Sequence, residues 1–181
     1  TMMLTSLAIV KEREIGTLEQ LIVTPIKARE LMVGKTIPFI IIGFIDLVLV
    51  LIASVFWFRV PIAGSVPLLF ALAAVFLLTT LGTGLFVSTV SRTQQQAMMT
   101  SFFLILPSVI LSGFMFPIEN MPRGIQWITY AIPLRYFLAI IRGIFLKGSG
   151  LDVLWPQVLA LAIFGVGIMA LSAARFSKRL G

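Results

Sequence analysis

Pro67-Leu68-Leu69-Phe70-Ala71-Leu72-Ala73-Ala74-Val75-Phe76-Leu77-Leu78-Thr79-Thr80-Leu81-Gly82-Thr83-Gly84-Leu85-Phe86-Val87-Ser88-Thr89-Val90 is a run without a single charge. At 1.5 Å per residue a helix of this length reaches about 30 Å or more, the thickness of a bilayer's hydrocarbon core. Three further runs are of comparable length: 36–58, interrupted by Asp46; 97–116, with Pro107 inside; and 155–174. The whole chain agrees. It is 59% hydrophobic and 12% charged, with a mean hydropathy of +1.09. Soluble domains carry about 25% charged residues. The expected fold is therefore all-α, a polytopic transmembrane helical bundle forming a single domain over residues 1–181.

The same composition narrows the chemistry. There is no cysteine, so disulfides and thiolate metal sites are excluded, and no histidine, the commonest general base and metal ligand. No Gly-x-x-x-x-Gly-Lys-Ser/Thr phosphate loop occurs, and no acid pair clusters in the apolar runs. The expectation is a chain that is not an enzyme, with no catalytic residues, no metal and no cofactor of its own. The net charge of +7 is scattered between apolar runs, without a basic stripe and interleaved aromatics, which argues against a nucleic-acid partner and for membrane lipids.

The connections organise the rest. Residues 1–10 are apolar but too short to span, and read as the end of an earlier span in a longer protein. Residues 59–66 and 91–96 are short turns. Residues 117–154 hold Pro117, Pro122 and Pro133, and two short helices, 123–131 and 134–146, break at Pro133. Together they suit an outer re-entrant hairpin, tolerated where backbone packs on protein or a wet cavity. Four spans put 11–35 and the tail 175–181 on one side. With Arg92 that side carries nine of the 14 basic residues, which places it in the cytoplasm and leaves Arg59, Arg123, Arg135, Arg142 and Lys147 outside.

The segment between the stub and the first full span reads Lys11-Glu12-Arg13-Glu14-Ile15-Gly16-Thr17-Leu18-Glu19-Gln20-Leu21-Ile22-Val23-Thr24-Pro25. Ile15, Leu18, Leu21 and Ile22 make one apolar helical face, and Pro25 ends the pattern. Periodicity leaves two readings open: an interfacial anchor, or a helix that docks on a partner.

The residues themselves resemble those of the ABC type 2 transporter permeases of bacteria. Glu12 to Pro25 is similar to that family's cytoplasmic coupling segment. Ser91-Arg92-Thr93-Gln94-Gln95-Gln96-Ala97-Met98, Leu111 to Glu119 with Met121-Pro122, Ile132 to Phe137 and Arg142-Gly143-Ile144-Phe145 follow in the family's order. The resemblance covers essentially the whole chain. It implies the C-terminal part of a six-span export permease in the bacterial cytoplasmic (inner) membrane. It also implies a second permease copy or sister permease, and ATP-binding cassette ATPase subunits that hold ATP and magnesium on the cytoplasmic face. Glu12, Arg13, Glu14, Gly16, Thr17, Leu18, Glu19 and Leu21 would couple ATPase closure to alternating access. The implied cargo is a drug, lipid or other amphiphile, although polymers are also exported on this fold.

Single residues carry rival meanings. Asp46, mid-span, costs at least about 2.5 kcal/mol on insertion scales. It is a cation or proton contact in a wet cavity, or a hydrogen-bonded Asp packed on a neighbouring helix. The first would suit an ion-coupled secondary transporter, the alternative function. Pro107 is a hinge or a static bend. Met98, Met99, Phe102 and Phe103 line an adaptable path, or face lipid or a second permease. Gly82 and Gly84 permit close helix packing. Arg135, Tyr136 and Arg142 gate the outer exit, or snorkel to headgroups.

Overall fold

The computed structural model describes residues 1–16 and 28–180, with the side chains of 28–33, 35 and 176–180 left aside. Those residues are helical almost throughout, and no strand occurs among them.

Helix α1 spans Met2–Ile15 and ends at Gly16, whose φ of 82° is left-handed and whose N–H returns to the carbonyls of Arg13 and Glu12. Only glycine adopts this φ without a Cβ penalty of about 1–2 kcal/mol. The charged residues 11–15 continue the helix of residues 2–10 without a break. The one expectation this changes is the helical face begun at Ile15: the helix that carries Ile15 ends at Gly16, although the apolar spacing continues past it. Thr17, Leu18, Glu19 and Leu21 lie outside the described residues.

Helix α2, Ala28–Ile52, continues as a π-helical turn over Ala53–Trp57. The turn is closed by Phe58 N–H donating to Ala53 O at 3.2 Å and Val60 N–H to Ser54 O at 3.0 Å. Arg59 follows with φ 51°, the one left-handed non-glycine residue among those described. Helix α3 is Val66–Val90 and helix α4 Gln94–Leu111. Helices α5, Arg123–Thr129, and α6, Pro133–Lys147, meet at a bend of 84°. Helix α7 is Leu151–Leu180.

Three stretches are long and apolar enough to cross a membrane: Thr36–Trp57, Val66–Val90 and Leu151–Arg175. The α5–α6 pair would be a fourth if the bent pair is one span. The expected span at 97–116 is the one that differs. Helix α4 has 18 residues, begins on Gln94-Gln95-Gln96 and stops at Leu111, where Gly113 at φ 85° turns the chain. Its polar first turn and early stop leave too short an apolar stretch.

The chain divides into two compact units. The first comprises Thr1–Gly43, Leu77–Leu104 and Gly165–Gly181. It is seamed with small polar residues, Thr5, Ser6, Thr79, Ser88, Ser101 and Ser172 among the buried ones. Ser6 Oγ lies 3.2 Å from Ser101 Oγ, and Ser172 Oγ donates to Gly82 O at 2.9 Å. Such residues let backbones approach. A Cβ on Gly84 would sit 2.6 Å from the Met2 carbonyl oxygen, and one on Gly82 would sit 2.6 Å from Ile168 Cγ2. In a bilayer this packing and hydrogen bonding replace the hydrophobic drive that water supplies.

The second unit, Phe44–Phe76 and Ile105–Phe164, is built on bulk instead. Leu69, Leu72, Phe137, Ile140, Ile144 and Leu161 form its core, and the rings of Phe76 and Phe137 stack at 4.1 Å.

Candidate functional site

The Glu12-Arg13-Glu14 triplet closes helix α1 beside the turn that joins α3 to α4, all within the first unit. The last carbonyls of a helix and the first N–H groups of the next have no partners inside their own helices. Here side chains of α1 supply them. Arg13 Nη1 donates to the carbonyls of Ser88 and Ser91, both at 3.1 Å, at the C-terminal end of α3. Glu14 Oε2 accepts from the backbone N–H of Gln94 at 3.2 Å and from its side-chain Nε2 at 3.0 Å, at the N-terminal end of α4. A cation therefore meets a negative helix end and an anion a positive one, the favourable sense of both helix dipoles. The Gln94 side-chain amide, then its backbone N–H, hold the Glu14 carboxyl below the usual carboxylate range, against a slight opposing effect of burial.

The turn is stiffened from within as well. Gln96 Oε1 accepts from Arg92 N–H at 2.8 Å, and Thr93 Oγ1 accepts from Gln96 N–H at 3.2 Å. Ser88, Ser91 and Gln94 are the partners of Arg13 and Glu14 in this junction, a pairing that pattern reasoning did not make. Their signal was the short polar link 91–96, which spacing alone could not pair with α1. Of the coupling candidates, Arg13 and Glu14 thus converge on one junction, Gly16 ends the helix that carries them, and Glu12 is half-buried on the same helix.

The path candidates do not gather into one site. Asp46 is exposed on α2, so packing against a neighbouring helix of this chain does not account for it. Met98, Met99, Phe102 and Phe103 are all exposed on α4, and so is Pro107. The outer candidates belong to the second unit. Arg135 donates to the Thr129 hydroxyl, which itself donates to Gln126 O at 2.7 Å, and its guanidinium lies 3.9 Å from the Tyr130 ring centroid. Tyr136 donates its hydroxyl to Tyr130 O at 2.8 Å. Both side chains are thus engaged across the α5–α6 bend. Arg142 Nη2 donates to Gly113 O at 2.8 Å, joining α6 to the turn after α4. Among the described residues, no three His, Cys, Asp or Glu side chains gather as a metal site requires.

Comparison with known proteins gives this arrangement a context. Residues 1–146 match the ABC-2 type transporter family. The chain is 41% identical over 181 residues to the probable multidrug ABC transporter permease YbhS of Escherichia coli, covering 98% of this chain and 47% of that protein. It is 34% identical over 179 residues to the probable multidrug ABC transporter permease YbhR of the same organism, covering 99% and 49%. A third relative, the linearmycin resistance permease protein LnrN of Bacillus subtilis, is 26% identical over 178 residues, covering 96% and 46%. The chain spans about half the length of the curated relatives it matches. No solved structure matches it. With several apolar helices of membrane-crossing length, this is a multi-pass membrane protein, and it belongs to the ABC-2 type transporter family.

Proposed function

We propose that the chain is the force-receiving half of an export permease driven by ATP-binding cassette ATPases in a bacterial cytoplasmic membrane. Residues 11–35 and the C-terminal tail face the cytoplasm, which requires that the chain also cross at α4 despite its shorter apolar stretch and leaves the α5–α6 pair on the outer side. The ATPases bind ATP and magnesium, and this chain catalyses nothing. Cargo is an amphiphile of the drug or lipid kind. The support for cargo is the naming of relatives as probable multidrug permeases. That naming also disfavours the ion-coupled alternative built on Asp46.

The observation that carries the reading is the double cap at the α3–α4 turn. Displacement of the segment that follows α1 would be passed through Arg13 and Glu14 to the ends of two helices at once. A lone interfacial anchor has no need of such ties. Arg13 and Glu14 are then transmission residues, while residues beyond Gly16, with Glu19 among them, face the ATPase. The exposed Met98, Met99, Phe102 and Phe103 would meet a second permease copy, a sister permease or the cargo path.

Co-purification with the ATPase encoded alongside, followed by cargo-stimulated ATP hydrolysis and transport in proteoliposomes, tests the proposal. Glu19→Lys should weaken ATPase association. Arg13→Glu should leave association intact and lower transport per ATP by roughly an order of magnitude. Normal transport in both variants would overturn the coupling assignment.

A further inference from the structure

A cavity of about 270 Å³ in the second unit is not used by the coupling route. Leu47, Leu51 and Ser54 of α2 and its π-helical end line it, with Ile141 and Phe145 of α6. Positions 47, 51 and 54 share one helical face, as do 141 and 145. Between these apolar walls stands one charged lining residue, Arg142.

Three observations indicate the occupant. The first is charge. Arg142 spends one guanidinium N–H on Gly113 O, and no carboxylate is placed against it among the described residues. A guanidinium carries five donors, so four remain for an anion. Arg59, exposed in a left-handed conformation, immediately precedes the lining residue Val60 in the chain. The second observation is size. The cavity is below the roughly 300–1,000 Å³ of pockets that enclose a drug-sized molecule. It suits part of an alkyl chain, the remainder lying outside. The third is access. The span Thr36–Trp57 that forms one wall is 6% buried, against 50% for Val66–Val90, and the rim residues Val50 and Leu146 are exposed. An apolar cleft open along an exposed apolar span can be entered sideways from a bilayer.

We infer that this cleft is a resident binding site for an anionic phospholipid, with an acyl chain along Leu47, Leu51 and Phe145 and the headgroup phosphate on Arg142. The π-helical turn belongs to the site. It widens the end of α2 at Ser54, and π-turns recur where helices serve a ligand. The inference uses only the membrane location of the chain and stands apart from the direction of transport.

The test uses the full-length permease in detergent, titrated with phosphatidylglycerol or phosphatidylethanolamine of identical acyl chains and read by native mass spectrometry. The wild type should hold phosphatidylglycerol roughly five- to tenfold better, the scale of one basic side chain at an anionic headgroup. Arg142→Gln should bring the ratio near one, and Arg142→Lys should retain most of it. Ser54→Trp, which fills the cleft, should lower retention of both lipids. If Arg142→Gln fails to fold, the lysine and tryptophan variants still decide. A wild-type ratio within twofold overturns the inference. So does unchanged retention in Ser54→Trp. Dissociation of paired permeases by Ser54→Trp without loss of lipid would also overturn it, since the cleft would then be a permease contact.

Discussion

The junction of α1 with the α3–α4 turn and the α5–α6 hairpin solve the same problem with opposite means. Each must hold a helix break in place. The junction does so with charges delivered from another helix: Arg13 on the carbonyls of Ser88 and Ser91, Glu14 on the N–H of Gln94. Around it, Ser and Thr side chains and two glycines bring backbones together. The hairpin holds its bend with residues of its own segment, 126–136, and rests on a core of Leu, Ile and Phe. The junction is thus a contact that another element can push, whereas the hairpin is braced from inside. The transmission role proposed for the junction rests on that difference.

The comparison breaks first at the glycines. Gly84→Leu drives a side chain into the Met2 carbonyl, 2.6 Å from even a Cβ. Overpacking of this kind costs about 1–3 kcal/mol or more. It should show as a lower melting temperature in detergent and poor recovery from the membrane. Gly124→Ala in α5, with nothing within 4 Å of the added Cβ, should leave both unchanged. Equal effects would refute the close-packed seam.

Arg13→Ala comes next. It removes two charge-assisted hydrogen bonds, and each is worth about 1.5–3 kcal/mol before solvent screening. A net loss of about 1–2 kcal/mol is expected for this half-buried group. Faster hydrogen exchange should be confined to residues around 88–94. Arg135→Ala removes one charge-assisted hydrogen bond, to the Thr129 hydroxyl, where Arg13→Ala removes two, together with a partly exposed cation–π contact. It should cost about 1 kcal/mol after screening and should loosen the α5–α6 bend without touching the junction. If Arg135→Ala lowered transport per ATP as much as Arg13→Ala, the division between transmission and brace would fail.

Much of this was legible in the sequence. The uncharged run 67–90 announces its helix, Pro133 marks the hairpin break, and Gly82 and Gly84 foretell close packing. What was not legible has physical causes. The apolar spacing of Ile15, Leu18, Leu21 and Ile22 runs straight through Gly16, and periodicity does not register a left-handed φ. The hydropathy of 112–116 continues beyond the end of α4 because Phe114, Met115 and Phe116 are apolar yet lie past Gly113, exposed and outside the helix. The caps of Arg13 and Glu14 join residues 75 to 80 positions apart, which no local pattern encodes. The cleft beside Arg142 likewise depends on the π-helical turn, whose residues Ala53–Trp57 read as ordinary helix.

The smallest expected effect concerns acid. Glu14 is fully exposed, yet its carboxyl titrates below the usual range because Gln94 donates to it twice. A carboxyl with a lowered folded-state pKa lends stability that is present above its unfolded value, near 4.5, and disappears as pH falls through the lowered folded value. At neutral pH the cap is therefore intact, and only acidification below the ordinary carboxylate range releases it. Glu14→Gln should abolish this contribution, so wild type and variant should converge in melting temperature as pH drops below about 4 and separate slightly above it. The separation should shrink further in high salt, since an exposed carboxylate is screened. Gln94→Ala should reproduce the loss and raise the Glu14 carboxyl back toward its ordinary value. A difference between wild type and Glu14→Gln that persisted undiminished into acid would mean that shape at position 14, not charge, holds the N-terminal end of α4. The junction would then be braced as the hairpin is.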